Sequence, residues 1–218
     1  MTVERPVQTS FMEGMDRPVG PILTSVFQGS NSDLMAAVAP LYLTGSVLDV
    51  TYGNGETAGG WWKRYQPDPF VFHDLQLDGV DFRDLPHDDR EFGTVCYDPP
   101  YIASGGAATS KAAADFRSRF GLAVGRSAGG LDALVLDGLA ECCRVADDYL
   151  LVKCMEFVQS GLRDMPTDIT NAARELGWKK HDQIVHYTGT GPGGHNIFHV
   201  KRARRAHSYL LVFSRGAS

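Results

Sequence analysis

Residues 93–101 read Gly-Thr-Val-Cys-Tyr-Asp-Pro-Pro-Tyr. The first five are typical of a strand, and the two prolines that follow can continue neither a helix nor a central strand. We therefore predict a rigid turn directly after a strand's carboxyl end, where open α/β sheets bind ligands. Asp98 and the main-chain carbonyl of Pro99 offer two acceptors in this turn, and Tyr101 offers an aromatic face. This set suits an exocyclic amino group on a planar base.

Similar apolar runs alternate along the chain with segments of helical periodicity. Strands are predicted at Ser46–Val50, Phe70–His73, Val80–Phe82, Thr94–Tyr97, Tyr149–Cys154, Gln183–His186 and Tyr209–Phe213. Helices are predicted at Asp33–Leu43, Glu56–Tyr65, Leu131–Val145 and Pro166–Leu176. Alternation of this kind predicts an α/β fold with a doubly wound, largely parallel sheet.

Composition is that of an ordinary globular domain, with 43% hydrophobic and 22% charged residues in a chain of 218. We expect one domain over residues 1–218, with an N-terminal extension and helix in residues 1–45. No apolar run is long enough for a membrane helix, and the first 16 residues lack the pattern of a signal peptide. The four cysteines form no Cys-x-x-Cys pair, which favours reduced thiols in a cytoplasmic protein.

A glycine turn follows the first predicted strand. Gly53 and Gly55 allow a tight turn and a close approach to a ligand, but no lysine is present for a P-loop. Asp49 at the strand's end and Glu56 after the turn oppose a pyrophosphate. They suit a ligand that carries positive charge, such as an amino-acid ammonium or a sulfonium. A purely structural turn remains an alternative.

Carboxylates also end the next two predicted strands. Asp74 lies 19 residues after Gly55, where a carboxylate can accept both hydroxyls of a ribose. Asp81 could accept an adenine amino group while Phe82 packs against the ring, or Asp81 could cap the turn before a proline. We expect Trp61 and Trp62 to pack against the first helix.

Together these segments resemble the DNA methyltransferases that modify the amino groups of adenine N6 or cytosine N4. The matching segments are LDVTYGNG (48–55), the strand end at Asp74, VDFRDLP (80–86), VCYDPPY (95–101), YLLVKC (149–154) and HSYLLVFSR (207–215). They occur in the family's order. Val50 and Thr51 replace the proline and phenylalanine that commonly precede the family's glycines.

The resemblance implies a Rossmann-like class I methyltransferase fold, with a mostly parallel seven-stranded sheet and an antiparallel last strand. It implies S-adenosyl-L-methionine as cofactor and adenine N6 in DNA as the preferred target. It assigns catalysis to Asp98, Pro99, Pro100 and Tyr101. It assigns cofactor binding to Asp49, Thr51, Gly53, Gly55, Asp74, Asp81, Phe82 and Asp98.

The net charge of −5 argues against a general nucleic-acid binder, but two segments are locally basic. Residues 102–130 hold four basic side chains and one acid, and residues 179–205 hold six and one. The predicted contacts to nucleic acid are Lys111, Arg117, Arg119, Arg126, Lys201, Arg202, Arg204 and Arg205. A solvated surface is the alternative. We expect no separate target-recognition domain, so recognition would come from these segments or from a partner.

Other functions stay open at this point. The same acceptors could hold cytosine N4, an RNA base or a protein amide. A nucleotide-binding oxidoreductase would use the glycine turn for NAD and leave Asp98 without a role. A non-catalytic DNA-binding module is a third possibility. No metal site is expected, because Pro192, Gly193 and Gly194 break the helix that His195 and His199 would need.

Overall fold

The computed structural model describes residues 23–53, 60–100, 128–159, 161–187 and 205–215. Helices in these ranges are α1 (Asn31–Tyr42), α2 (Ala128–Val145) and α3 (Met165–Glu175). Strands are β1 (Val26–Gln28), β2 (Val47–Asp49), β3 (Phe70–Phe72), β4 (Phe92–Tyr97), β5 (Ala146–Cys154), β6 (Phe157–Gln159), β7 (Gly161–Arg163), β8 (Trp178–Tyr187) and β9 (Ser208–Arg215).

Seven of these strands form one sheet in the order β1-β8-β9-β5-β4-β2-β3. Strand β9 is antiparallel to both of its neighbours, and all other neighbouring strands are parallel. Strands β6 and β7 form a separate two-stranded ribbon. The predicted fold class is confirmed: a Rossmann-like, mostly parallel sheet of seven strands with an antiparallel last strand.

One predicted strand is wrong, and three short strands, β1, β6 and β7, are not among those predicted. Residues 80–82 form no strand, because Asp81 caps a turn. Its Oδ1 accepts from Arg83 N at 2.9 Å, and its carbonyl accepts from Asp84 N at 2.9 Å. The seventh strand is instead β1, which pairs with β8 at the opposite edge of the sheet.

The helix predicted at Glu56–Tyr65 is also not seen where the structure describes it. Residues 61–64 are a series of bends, and residues 54–59 lie outside the described ranges. Trp61 and Trp62 are both buried, although they are adjacent. A bent backbone lets both indoles turn inward, whereas a helix would separate them by about 100° and an extended strand by about 180°.

The other three helices are confirmed to within two or three residues at each end. A capping box explains why α1 begins before its predicted start. Ser30 Oγ accepts from Asp33 N at 3.2 Å, and the Asp33 carboxylate accepts from Ser30 N at 3.0 Å. Helix α3 ends at Glu175, two residues before Gly177, whose φ of +85° favours glycine.

The core lies on both faces of the sheet. On one face, α2 and α3 pack against residues such as Leu48, Val95 and Leu150. On the other, α1 packs with Trp61 and Trp62 against Val47, Cys96 and Leu151. Side chains alternate between the two faces along a strand. The face of a residue at a strand end therefore follows from the faces of the core residues before it. All four cysteines are free and buried, as predicted.

Candidate active site

Asp49 and Asp98 lie at the carboxyl ends of two neighbouring parallel strands. Asp49 is the last residue of β2, and Asp98 directly follows β4. The chain runs from β2 to β3 on one side and then to β4 on the other side of β2. Such a reversal of strand order opens a crevice at the carboxyl ends, where α/β sheets bind ligands. Both predicted carboxylates therefore flank one crevice.

Asp49 is buried, with 4% of its surface exposed. Its Oδ1 accepts from Thr51 N at 2.8 Å, and its Oδ2 accepts from Trp62 Nε1 at 2.6 Å. The pKa of Asp49 is raised to about 7, chiefly by burial and in smaller part by the negative charge of Asp98, while these hydrogen bonds act in the opposite direction. The partners that the structure gives this carboxylate are uncharged donors.

Asp98 is held by two neighbouring segments. Its backbone N–H donates to Thr51 Oγ1 at 2.8 Å, and its Oδ2 accepts from Trp61 Nε1 at 3.2 Å. Pro99 and Pro100 after it are buried, while Asp98 itself is half-buried. Thr51 thus joins the two turns that carry Asp49 and Asp98. Tyr101 lies outside the described residues.

The adjacent indoles of Trp61 and Trp62 each donate to one of the two carboxylates. Their ring centroids are 6.2 Å apart and the rings are inclined by 56°. The sequence predicts a packing role for these residues but not this polar role. The sequence does contain a signal for this role. Two indole N–H donors directly follow a glycine turn, and carboxylates stand at the ends of the predicted strands.

The structure also brings the glycine turn and Asp74 together. Gly53 adopts a φ of +58°, and its N–H donates to Asp74 Oδ2 at 3.0 Å. Asp74 is buried, and its Oδ1 accepts from Gln76 N at 2.9 Å. The carboxylate therefore fixes the turn after β2 to the turn after β3. Gly55 lies outside the described residues.

A pair of histidines supports the turn that carries Asp74. Asp78 Oδ2 lies 2.6 Å from His73 Nδ1, and Asp78 Oδ1 accepts from Asp74 N at 3.2 Å. His73 Nε2 lies 2.8 Å from His87 Nε2, and His87 Nδ1 lies 3.1 Å from Glu91 Oε1. The network connects the end of β3 to the loop before β4. Sequence reasoning gave no sign of it.

Asp81 and Phe82 are placed differently from the other predicted residues. The Asp81 carboxylate forms an ion pair with Arg83, whose Nε donates to Oδ1 at 2.9 Å. Phe82 is buried under α2, with its ring centroid 5.4 Å from that of Tyr97 and its edge against Gly138. The Asp81 carboxylate is therefore paired with the Arg83 guanidinium, and Phe82 is part of the hydrophobic core.

Most of the predicted nucleic-acid contacts lie outside the described residues. These are Lys111, Arg117, Arg119, Arg126, Lys201, Arg202 and Arg204. Arg205 is described, and its Nε lies 2.5 Å from Glu156 Oε2.

The described ranges contain no group of three or more side chains that could hold a metal ion, and His195 and His199 lie beyond them. No helix in the same ranges is long and apolar enough to cross a membrane.

No protein-family model and no curated protein matches the sequence. Solved structures do match. One is a protein named as a DNA modification methylase from Thermus thermophilus, in complex with S-adenosyl-L-methionine. It is 14% identical, with 63% of this chain and 52% of that chain covered and a TM-score of 0.41. The chain therefore spans about half the length of the Thermus protein.

Two further matches are of similar strength. A protein named as a methyltransferase from Bacillus halodurans is 15% identical, with 87% and 100% of the two chains covered and a TM-score of 0.49. The 1,6-didemethyltoxoflavin-N1-methyltransferase of Burkholderia thailandensis is 9% identical, with 85% and 76% covered and a TM-score of 0.41. At these identities and TM-scores the likenesses decide nothing about activity, and the case for a function rests on the site.

Proposed function

We propose that this protein is an S-adenosyl-L-methionine-dependent methyltransferase that methylates adenine N6 in DNA. One observation carries the proposal. Asp49 and Asp98 flank the crevice at the reversal of strand order, and Asp98 begins the Asp-Pro-Pro-Tyr turn. The turn that begins at Asp98 thus lies across the crevice from the buried carboxylate of Asp49.

The residues of the crevice fit this cofactor by charge. Asp49 is buried among uncharged donors, so a ligand with positive charge would stabilise its ionised form. Asp74 stands at the end of the next strand, where it could accept the hydroxyls of a ribose. When bound, the cofactor would supply an electrophilic methyl group. The structure places Asp81 with Arg83, so an adenine contact by Asp81 would require that ion pair to open.

Asp98 and Pro99 would orient the amino group of the target. The Asp98 carboxylate and the Pro99 carbonyl would accept its two hydrogens and aim the nitrogen lone pair at the methyl group. The amine becomes acidic once it is methylated, so no strong base is needed, and positioning accounts for most of the rate. Trp61 and Thr51 support this role because they fix the side chain and the backbone of Asp98.

A base inside a duplex cannot reach this turn unless it is flipped out, which costs a few kcal/mol. Stacking on Tyr101 would offset that cost, because base–aromatic stacking contributes about 1–3 kcal/mol. The locally basic segments around residues 111–126 and 201–205 would contact phosphates. DNA is therefore the proposed partner, with RNA as the nearest alternative.

The oxidoreductase alternative is less well supported. NAD would bring the two negative charges of a pyrophosphate to the glycine turn, close to the buried carboxylate of Asp49. It would also leave the fixed geometry of Asp98 unexplained. A thermal-shift comparison of the two cofactors separates these alternatives, because only a ligand that binds the folded state raises its Tm.

Transfer of labelled methyl from S-adenosyl-L-methionine to unmethylated duplex DNA tests the proposal directly. After digestion to nucleosides, label in N6-methyldeoxyadenosine is expected. Label in N4-methyldeoxycytidine would retain the mechanism and change the base. Label on RNA but not on DNA would change the substrate. Absence of both cofactor binding and label would overturn the proposal.

A further inference from the structure

Lys153 is a buried charged residue to which the proposed mechanism gives no role. It lies near the carboxyl end of β5, the strand next to β4, and only 5% of its surface is exposed. A buried ammonium group is costly unless it has partners. The position of this side chain therefore requires an explanation.

Strand register places Lys153 beside Asp98. Tyr97 pairs with Val152 across the parallel strands β4 and β5, so the next residues on each strand are neighbours. Cys96 and Leu151 both face α1, and side chains alternate, so Asp98 and Lys153 point to that same face. The contact from Trp61, which packs on that face, confirms the direction of Asp98.

The neutral partner of Lys153 cannot balance its charge. Lys153 Nζ donates to Oδ1 of Asn31, the first residue of α1. Asn31 fixes the position of the ammonium group but carries no charge. Burial lowers the pKa of Lys153, while the negative charge of Asp98 opposes that effect.

Two other titratable groups lie near Lys153 in the part of the chain that the structure describes, and neither is an anion at neutral pH. His186 on β8 has its Nε2 2.9 Å from the Gly29 carbonyl, so that nitrogen carries the proton. Its Nδ1 is buried without a partner in the described ranges, which fits a neutral ring. Cys154, next along β5, is buried, and burial raises the pKa of its thiol. Among these groups the carboxylate of Asp98 remains as the counter-charge.

We propose that Lys153 is a positioning residue whose ammonium group keeps Asp98 ionised as a hydrogen-bond acceptor. A positive charge is needed beside Asp98 because a second carboxylate, Asp49, lies at the same crevice. Two carboxylates at one crevice tend to share a proton, and a protonated Asp98 would donate where an acceptor is required. Lys153 lies on the side of Asp98 away from Asp49. Its positive charge therefore favours the state in which Asp98 is ionised and Asp49 holds the proton. The catalytic value of this arrangement rests on the proposed function.

The indole N–H signals of Trp61 and Trp62 provide a test that needs no activity. The chain contains three tryptophans, so three signals are expected in a ¹⁵N–¹H spectrum, and Trp→Phe variants assign them. The Trp61 signal reports the ionisation of Asp98, and the Trp62 signal reports that of Asp49. Each is followed against pH in the wild-type protein and in Lys153→Met, which keeps the length of the side chain but removes its charge.

Loss of Lys153 should raise the pH midpoint of the Trp61 signal by about 1 to 3 units, the effect of removing a nearby opposite charge. The control Lys179→Met removes an exposed lysine from β8 and should leave the midpoint unchanged. Lys153→Gln, which can keep a contact to Asn31, serves if Lys153→Met does not fold. A folded Lys153 variant with an unchanged Trp61 midpoint would overturn the proposal.

Activity then separates the two proposals. If methyl transfer is found, the acid limb of its kcat/KM profile should move upward in Lys153→Met by the same amount as the Trp61 midpoint. A purely structural role for Lys153 would lower the rate without moving that limb. If no transfer is found but the Trp61 midpoint shifts, the charge pair stands and the proposed function fails.

Discussion

The indole of Trp62 donates a 2.6 Å hydrogen bond to Asp49, a carboxylate buried between the sheet and the segment around residue 61. Hydrogen bonds to charged groups contribute about 1.5–3 kcal/mol, roughly twice the contribution of neutral ones. This single donor therefore accounts for much of what keeps Asp49 in place when it is ionised.

Trp62→Phe should lower the free energy of unfolding by about 1.5–3 kcal/mol more than Trp178→Phe at pH 8. Both changes remove the same atoms from a buried site, but Trp178 Nε1 has no hydrogen-bond partner in the described residues. The guanidinium of Arg215 lies 4.7 Å from the centroid of the Trp178 ring, a contact that phenylalanine can also make. Urea unfolding of the two variants then compares the losses with and without a hydrogen bond. Equal losses would show that the Trp62–Asp49 contact adds nothing beyond packing.

The raised pKa of Asp49 predicts a definite dependence of stability on pH. Between pH 4 and about 7 the folded protein holds a proton that the unfolded chain has released. The contribution of Asp49 to the free energy of unfolding therefore falls as pH rises, by up to about 1.4 kcal/mol per unit, and levels off above pH 7.

Asp49→Asn should remove this slope and leave the rest of the curve in place. Unfolding by urea at a series of pH values between 4.5 and 8.5 gives both curves. Parallel curves for the variant and the wild type would mean that Asp49 titrates near its ordinary value in the folded state.

Asp98→Ala should reduce methyl transfer by at least about 100-fold, the usual effect of removing one well-placed polar group from a reacting centre. Cofactor affinity should stay nearly unchanged, because the alanine keeps the backbone N–H that donates to Thr51. Single-turnover rates and calorimetric binding measure the two quantities separately. An equal loss of both would assign Asp98 a structural role.

Gly138→Ala should destabilise the protein by about 1–3 kcal/mol, despite the gain of about 1 kcal/mol that alanine usually brings to a helix. A Cβ at this position of α2 would lie 2.4 Å from Phe82 Cδ2 and 2.4 Å from Tyr97 Oη, and both rings are buried. Gly161→Ala is the matched control, because nothing lies within 4 Å of its added Cβ. Similar Tm values for the two variants would contradict this.

Sequence alone predicts the central strands well because burial on both faces leaves long apolar runs. Ser46–Val50 and Thr94–Tyr97 lie within one or two residues of the true strands, and the two prolines after Asp98 mark the ligand edge. A short edge strand gives no such signal. Strand β1 has three residues with Val26 largely exposed, so its pattern does not differ from that of a loop.

The polar contacts of the site could not be predicted in the same way. The sequence predicts a packing role for Trp61 and Trp62, but it does not predict the direction of their N–H groups. Lys153 stands in an apolar run, and its neighbours become known only once the register of β4 and β5 is fixed. The expected adenine contact of Asp81 rests on a predicted strand end that does not exist, and Arg83, two residues away, binds the same carboxylate.

The hydroxyl of Thr51 has a consequence for the two binding equilibria. It accepts the backbone N–H of Asp98, so the glycine turn and the acceptor turn cannot shift independently. A ligand that orders the first turn also orders the second, and by thermodynamic reciprocity each ligand strengthens the binding of the other. For the proposed methyltransferase this predicts positive heterotropic cooperativity, in which the proposed DNA substrate binds more tightly once the proposed cofactor is bound. Thr51→Val would uncouple the two binding steps.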